Sequence, residues 1–255
     1  MIITDTHTHL YSEAFDDDRQ EMLQRAIDMG VTRFFVPAID STYTKAMFKL
    51  EQDFPENVFL MTGLHPTHVK ENYKEELNHV EGLLQKRSFI AIGEIGIDLY
   101  WDTSTLSIQK QAFKYQIDLA KKYGLPIVIH CREAFDEIFE ILEEKKGDDL
   151  FGIFHCFTGT LEQAYKAISY NMKLGIGGVV TFKNGKIDKF LNQIDLKHIV
   201  LETDSPYLSP VPYRGKRNES SYIMNVLEKI ATLYNCTKAE IADITTKNSK
   251  HIFGI

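Results

Sequence analysis

Five histidines and two acids, all possible metal ligands, follow apolar segments of the chain. His7 and His9 come first, in the stretch TDTHTHL directly after an apolar start. Side chains at positions i and i+2 of a strand point to the same face, so both imidazoles would leave a strand end on one side. Imidazole nitrogens and carboxylates are suitable ligands for zinc, manganese and similar divalent ions. The full set is His7, His9, His65, Glu94, His130, His155 and Asp204.

Six of these side chains are more than one tetrahedral zinc ion requires. Because a carboxylate can bridge two ions, the set suits a pair of cations about 3.5–4 Å apart, the usual arrangement for hydrolysis of phosphate esters. We therefore predict two divalent cations per chain (Mg²⁺, Mn²⁺ or Zn²⁺), with Glu94 as the bridge. The predicted metal ligands are His7, His9, Glu94, His130, His155 and Asp204.

Eight short apolar segments must position these side chains. They are nearly continuous runs of β-branched and aromatic residues, which is typical of strands covered by helices on both faces. The predicted strands are 2–6, 31–38, 57–63, 89–94, 126–130, 151–155, 172–177 and 198–203.

Segments with helical spacing lie between the predicted strands. In 105–123 the apolar residues fall mostly on one stripe, with lysine and glutamine opposite. Gly124 and Pro126 then supply a helix stop and the entry to the next strand. The other predicted helices are 16–29, 41–52, 71–86, 133–146, 160–170 and 186–193, followed near the C-terminus by 219–235 and 238–250.

Eight β–α repeats in 255 residues predict an α/β fold, a single TIM (β/α)₈ barrel over 1–255 with extra C-terminal helices. A doubly wound open sheet is the alternative, but it usually has a glycine-rich turn after the first strand, and this chain has none. A lone histidine after a strand is more often structural than a ligand. In a barrel, however, all of these strand ends meet at one face, which favours the metal cluster.

Composition and charge narrow the possible functions. The net charge of −7 argues against a protein that coats nucleic acid through a positive field, although it allows an enzyme that binds a few phosphates locally. Three cysteines make no disulfide framework. No apolar run approaches the roughly 18 residues of a membrane span, and no secretory signal is evident. We expect a cytoplasmic protein without a membrane partner, and a monomer.

Several short motifs occur in order along the whole chain. Each is weak alone, but the ordered set is highly specific. The motifs are TDTHTHL (4–10), GLHP (63–66), GEIGIDLYWD (93–102), VIHCREA (128–134), FHCFTG (154–159), LETDSPYL (201–208) and YRGKRNE (213–219).

This set resembles the TatD-type metal-dependent deoxyribonucleases, which belong to the amidohydrolase-like group of barrels. The resemblance implies a TIM barrel with a two-metal site and nuclease activity on DNA. It also implies that His65 contacts a substrate phosphate. In the implied ligand sets, His7, His9, Glu94 and Asp204 hold the first ion, and Glu94, His130 and His155 hold the second.

The expected reaction is hydrolysis of DNA phosphodiester bonds by an activated water. Cations lower the pKa of a shared water, and Asp204 is placed to accept its proton, so Asp204 and Glu94 are the predicted catalytic residues. Arg214 and Arg217 could anchor phosphates, and Trp101 could stack on an unpaired base. The basic cluster could equally be a solvated loop.

Three functions stay open at this point. The first is a nuclease that trims single-stranded or frayed DNA ends in the 3′ to 5′ direction, as the family implies. The second is a two-metal barrel hydrolase of a small phosphoester, amide or lactone. The third is a binding module without catalysis, which the complete ligand set argues against.

Overall fold

Eight parallel strands form the centre of the structure, a computed structural model that describes residues 1–255. Strands β1 to β3 pair in one group and β4 to β8 in a second, each in the order of the sequence. All eight predicted strands are present. They are β1 (Ile3–Asp5), β2 (Val31–Val36), β3 (Val58–Leu60), β4 (Ile92–Asp98), β5 (Ile127–Arg132), β6 (Gly152–Phe154), β7 (Met172–Ile176) and β8 (Ile199–Leu201).

Backbone hydrogen bonds beyond the regular pairing join the two groups of strands. Next to β3, the carbonyl oxygen of Thr62 accepts the N–H of Gly93 in β4 at 2.9 Å. On the other side, the N–H of Thr6 donates to the carbonyl oxygen of Leu201 in β8 at 3.0 Å. The sheet therefore closes on itself, as the predicted TIM barrel requires.

Helices cover the outside of the sheet and bury one apolar stripe each. In α4, Phe113, Ile117 and Ala120 are buried, and Gly124 ends the helix in the left-handed conformation. The helix α8 packs against β8 and β1, where the barrel closes. The helices are α1 (Arg19–Asp28), α2 (Thr44–Asp53), α3 (Tyr73–Leu84), α4 (Leu106–Tyr123), α5 (Phe135–Lys145), α6 (Leu161–Ser169), α7 (Ile223–Tyr234) and α8 (Lys238–Phe253).

The helix predicted at 186–193 is wrong. Short 3₁₀ turns at Ile187–Lys189 and Leu191–Gln193 replace it. The hydroxyl of Tyr234, on α7, lies 2.7 Å from the carbonyl oxygen of Ile194 and also contacts that of Leu191. The tyrosine hydroxyl thus anchors the end of this segment to α7.

An apolar layer fills the inside of the barrel. Phe35, Val128, Ile153 and Val200 belong to one buried cluster although they lie on β2, β5, β6 and β8. Side chains from strands so far apart can meet only inside the barrel. Phe253, at the end of α8, packs against Phe35 with ring centroids 4.2 Å apart.

Polar side chains form the next layer inside the barrel. Two residues beyond Val128, Ile153 and Val200 stand His130, His155 and Glu202. Because side chains two apart in a strand share a face, all three point inward above the apolar layer. The fold itself therefore brings these groups together at the carboxyl end of the strands.

The strand β4 is longer than predicted and shifted toward the C-terminus. It pairs with β5 as far as Asp98, opposite Arg132, so Glu94 lies within the strand and not at its end. Ile95 and Ile97 continue the buried pattern beyond the charged residue. Separately, no helix of the structure has both the length and the apolar character needed to cross a membrane.

Candidate metal centre

Four side chains form the first group of donors: two from the segment after β1, one from β4 and one from the segment after β8. The Nε2 atoms of His7 and His9 are 3.3 Å apart. Each lies between 3.1 and 3.7 Å from Glu94 Oε2 and Asp204 Oδ1. These are four of the predicted ligands, and all four are largely buried.

Two histidines and the other oxygen of Glu94 form the second group. His130 Nδ1 lies 2.8 Å and His155 Nε2 lies 2.9 Å from Glu94 Oε1, and the two nitrogens are 3.5 Å apart. Glu94 thus stands between the groups, with Oε2 facing one and Oε1 facing the other. This is the arrangement that a bridging carboxylate requires.

The donor atoms fit divalent cations in type and in spacing. Ligand atoms bound about 2.0–2.1 Å from one ion lie about 3.0–3.4 Å from each other. The distances within both groups are close to that range. Three overlapping sets of His, Asp and Glu have all their donor atoms within 4.8 Å of one another, and Glu94 belongs to two of them.

The charges of the site keep its carboxylates ionised. Burial alone would raise the pKa of Glu94, but its interactions with the surrounding histidines, His155 foremost, outweigh burial and hold this pKa well below its usual value. Burial likewise acts to raise the pKa of Asp204, and His9, His155 and His7 overcome it. Both acids are therefore available as anionic ligands at neutral pH.

The same charges favour protons on two of the histidines. Burial opposes protonation of His155, yet the negative charges of Glu94 and Glu202 hold its pKa well above the usual value. Asp98 and Glu94 likewise overcome burial and raise the pKa of His130. A cation that binds these nitrogens must therefore displace protons from them.

Two acids and a tyrosine lie next to the second ring nitrogen of three of these histidines, the nitrogen that faces away from the donor groups. His130 Nε2 is bonded to Asp98 Oδ2 at 2.8 Å, and His9 Nδ1 to the hydroxyl of Tyr11 at 2.9 Å. His155 Nδ1 lies 3.6 Å from Glu202. Such partners fix which nitrogen faces the ion. Asp98 was not among the predicted site residues, because the strand predicted at 89–94 ends four residues before β4 does.

A family model for TatD related DNases matches residues 4–254. The chain belongs to the TatD family. The metal-dependent hydrolase YabD of Bacillus subtilis is 42% identical over 257 residues and is matched over 100% of both chains. The metal-dependent hydrolase YcfH of Escherichia coli is 30% identical, over 100% of this chain and 97% of its own. This protein is therefore a metal-dependent hydrolase of a family that acts on ester bonds.

Two further TatD relatives add a solved fold and a named activity. The crystal structure of the TatD homologue YjjV from Escherichia coli superposes with a TM-score of 0.93 at 28% identity, over 99% of this chain and 98% of that one. The Pantoea ananatis protein named 3′-5′ ssDNA/RNA exonuclease TatD is 29% identical, over 98% of this chain and 99% of its own.

His65 lies beside the second group of donors in this TatD protein, with Nε2 3.2 Å from Glu94 Oε1. Burial lowers the pKa of His65 to about 4, so its ring is neutral at pH 7. Its Nδ1 accepts the backbone N–H of Thr67, which leaves the single ring proton on Nε2. The protonated Nε2 is a hydrogen-bond donor whose partner in this structure is Glu94 Oε1, and the phosphate contact expected from the sequence stays a prediction.

A cavity of about 570 Å³ opens above the donors. His65 and Trp101 line it, together with most of the predicted ligands. Trp101 is 70% exposed, which leaves its ring free for contact with a ligand.

Arg214 and Arg217 do not line this cavity. The guanidinium of Arg214 stacks on Phe182 at 3.8 Å. Arg217 forms two hydrogen bonds with Asp18, at 2.6 and 2.8 Å, close to the start of α1. Both predicted phosphate contacts are thus engaged in intramolecular contacts outside the cavity.

Proposed function

We propose that this protein is a deoxyribonuclease that binds two divalent cations and removes nucleotides from the 3′ end of single-stranded or frayed DNA. The observation that carries this proposal is Glu94, whose two carboxylate oxygens face two separate groups of metal donors. Paired metal sites of this kind are typical of enzymes that hydrolyse phosphodiesters.

The relatives support the substrate class. The family model is that of the TatD related DNases, and the Pantoea relative carries the name of a 3′-5′ exonuclease of single-stranded DNA and RNA. An open cavity with an exposed tryptophan suits an unpaired nucleotide. A monomeric state and a cytoplasmic location stay predictions.

The proposed ligands are His7, His9, Glu94 and Asp204 for one cation and Glu94, His130 and His155 for the other. When bound, such cations would activate a water and offset the charge that develops on the phosphate. Asp204 is ionised, lies beside His9 and borders the cavity, so its carboxylate is placed to accept a proton from an attacking water. The N–H of His65 Nε2 would donate to a phosphate oxygen.

The alternative is a hydrolase for a small phosphoester, amide or lactone on the same barrel. Such a substrate calls for a closed, mostly apolar pocket. The cavity here carries imidazoles, carboxylates and hydroxyl groups alongside its apolar residues and opens to solvent, which favours a larger polyanionic substrate.

The test uses the parent protein, Glu94→Gln and His251→Ala, a histidine exposed on α8. We expect the parent, loaded with Mn²⁺ or Mg²⁺, to shorten a 5′-labelled single-stranded oligonucleotide stepwise from its 3′ end. A chelator should abolish this activity. Glu94→Gln should lose at least about 100-fold in rate and part of its bound metal by elemental analysis, whereas His251→Ala should match the parent.

Two results would contradict the proposal. One is a metal-loaded parent that leaves DNA intact while it hydrolyses small phosphoesters or lactones. The other is a Glu94→Gln variant that keeps full activity and full metal content.

A further inference from the structure

Arg132 is the one lysine or arginine among the residues that line the cavity. It ends β5, two residues after His130. Side chains two apart in a strand share a face, and at about 3.3 Å per residue Arg132 stands about 7 Å farther out than His130. The positive charge of Arg132 thus lies above the donor groups, in the wall of the same cavity.

The guanidinium of Arg132 lies over the ring of Tyr100 and near that of Trp101, in the loop that follows β4. Its carbon is 3.7 Å from the centroid of the Tyr100 ring and 5.4 Å from that of Trp101. Stacking holds the planar group in one orientation and leaves the N–H groups at its edge free. The loop is itself fixed, because Asp98 accepts the backbone N–H groups of Tyr100 and Trp101.

No carboxylate lies within ion-pairing distance of Arg132. Arg25 and Arg217, by contrast, are paired with Asp18 and Glu219. An exposed arginine that is oriented by aromatic rings, and not by an acid, keeps its charge and its hydrogen bonds for a ligand. The planar guanidinium can donate two parallel N–H hydrogen bonds to two oxygens of one phosphate.

We propose that Arg132 binds the phosphate of a nucleotide next to the scissile bond, with Trp101 stacked on the neighbouring base. This rests on the proposed nuclease function and specifies how the enzyme recognises a strand. A small phosphoester has no second phosphate for Arg132 to bind. Arg132 therefore makes the enzyme selective for oligonucleotides. The sequence alone had offered Arg214 and Arg217 as possible phosphate anchors.

The test compares two substrates in Arg132→Ala, Arg132→Lys and Arg87→Ala. Arg87 is the matched control, because it also stacks on aromatic rings, Phe48 and Phe89, but does not line the cavity. For a single-stranded decanucleotide we expect Arg132→Ala to raise KM about 10- to 100-fold, as loss of a charged hydrogen-bonded contact does. For bis(p-nitrophenyl) phosphate, kcat/KM should stay within about twofold of the parent.

For the decanucleotide, the KM of Arg132→Lys should lie between those of the parent and Arg132→Ala, since lysine keeps the charge but not the planar guanidinium. Arg87→Ala should match the parent on both substrates. A second measurement follows binding of the uncleaved decanucleotide to metal-free protein over a range of salt concentrations. In Arg132→Ala the slope of log Kd against log salt concentration should decrease by about one, which is the contribution of one phosphate contact.

The outcomes separate the inference from the nuclease proposal. An unchanged decanucleotide KM and an unchanged salt slope in Arg132→Ala overturn the role of Arg132, whether or not the parent cleaves DNA. Equal losses of activity on both substrates overturn it too, since they would mean that Arg132 supports the reaction centre and does not select the substrate. If the parent binds the decanucleotide through Arg132 but never cleaves it, the nuclease proposal fails and the phosphate contact stands.

Discussion

Asp98 connects the second group of metal donors to the loop that carries the exposed aromatic residues. One of its oxygens bonds His130 Nε2 at 2.8 Å, and the other accepts the N–H groups of Tyr100 and Trp101. Its own backbone N–H donates to the side chain of Gln109 on α4. One carboxylate thus positions a proposed metal ligand, His130, together with the loop that carries Tyr100 and Trp101.

We expect Asp98→Asn to weaken metal binding about 10- to 100-fold, the usual effect of losing the group that orients a ligand histidine. An amide at this position lacks the negative charge that favours a donated proton on His130 Nε2. Metal titration of chelator-treated protein measures the effect. Asp102→Asn is the control, because Asp102 caps only Ser104 in the same loop; an equal loss in both variants would refute the role of Asp98.

Residue type and spacing predicted the set of donors, because each candidate follows an apolar run of the sequence and the two histidines of His-x-His are expected to share a face. The division into two groups came from the family resemblance. Asp98 and Arg132 escaped prediction because their roles depend on how far β4 and β5 continue. Arg214 and Arg217 were chosen for charge alone. Their partners, Phe182 and Asp18, are distant in sequence, so no local pattern could reveal them.

At the scale of elements, β4 and β5 approach each other so closely that one position admits only glycine. Gly96 pairs with His130 and has a φ of +143°. A Cβ atom at this position would lie 2.1 Å from the carbonyl oxygen of His130. Glu94 and Asp98 flank Gly96 on one strand and His130 faces it on the next, so this contact sets the spacing of the second donor group.

Gly96→Ala should therefore destabilise the protein by about 3 kcal/mol or more, through overpacking and backbone strain. It should also reduce metal content in the fraction that folds, since β5 must shift away from β4. Urea unfolding and elemental analysis measure the two effects. Gly82→Ala is the control: a Cβ there meets nothing within 4 Å, so in the last turn of α3 it should stabilise by up to about 1 kcal/mol.

The alternating β–α pattern predicted every strand and eight of the nine helices, because a helix or strand buried on a barrel must carry the matching apolar period. At 186–193 the backbone forms 3₁₀ hydrogen bonds instead, such as that from the N–H of Phe190 to the carbonyl oxygen of Ile187 at 3.2 Å. The ends of β4 and β5 were misplaced for a different reason. The prediction ends each strand at its first polar residue. In the barrel, however, the strands continue, because polar side chains also point into the interior above the apolar layer.

At the scale of the whole molecule, the metal centre lies on a core that does not depend on it. The apolar layer of Phe35, Val128, Ile153 and Val200 fills the barrel below the site, and a larger apolar cluster lies between strands and helices. The donors are carried on strands that are already paired and packed. The barrel should thus fold without metal, and metal should add stability only at the mouth.

Removal of metal should therefore abolish hydrolysis while the protein stays folded. At 100 times its Kd, a cation that binds only the folded state adds about 2.7 kcal/mol, which corresponds to about 5–10 °C in Tm for a chain of this length. Circular dichroism should show unchanged secondary structure after chelation, with a lower Tm that recovers when Mn²⁺ or Zn²⁺ is restored. In Glu94→Gln the gain should be much smaller, because both donor groups lose their shared charge. If the chelated parent unfolds at 25 °C, the core does not fold independently of the metal. If the Tm does not respond to metal, the donors do not bind it tightly enough to stabilise the fold.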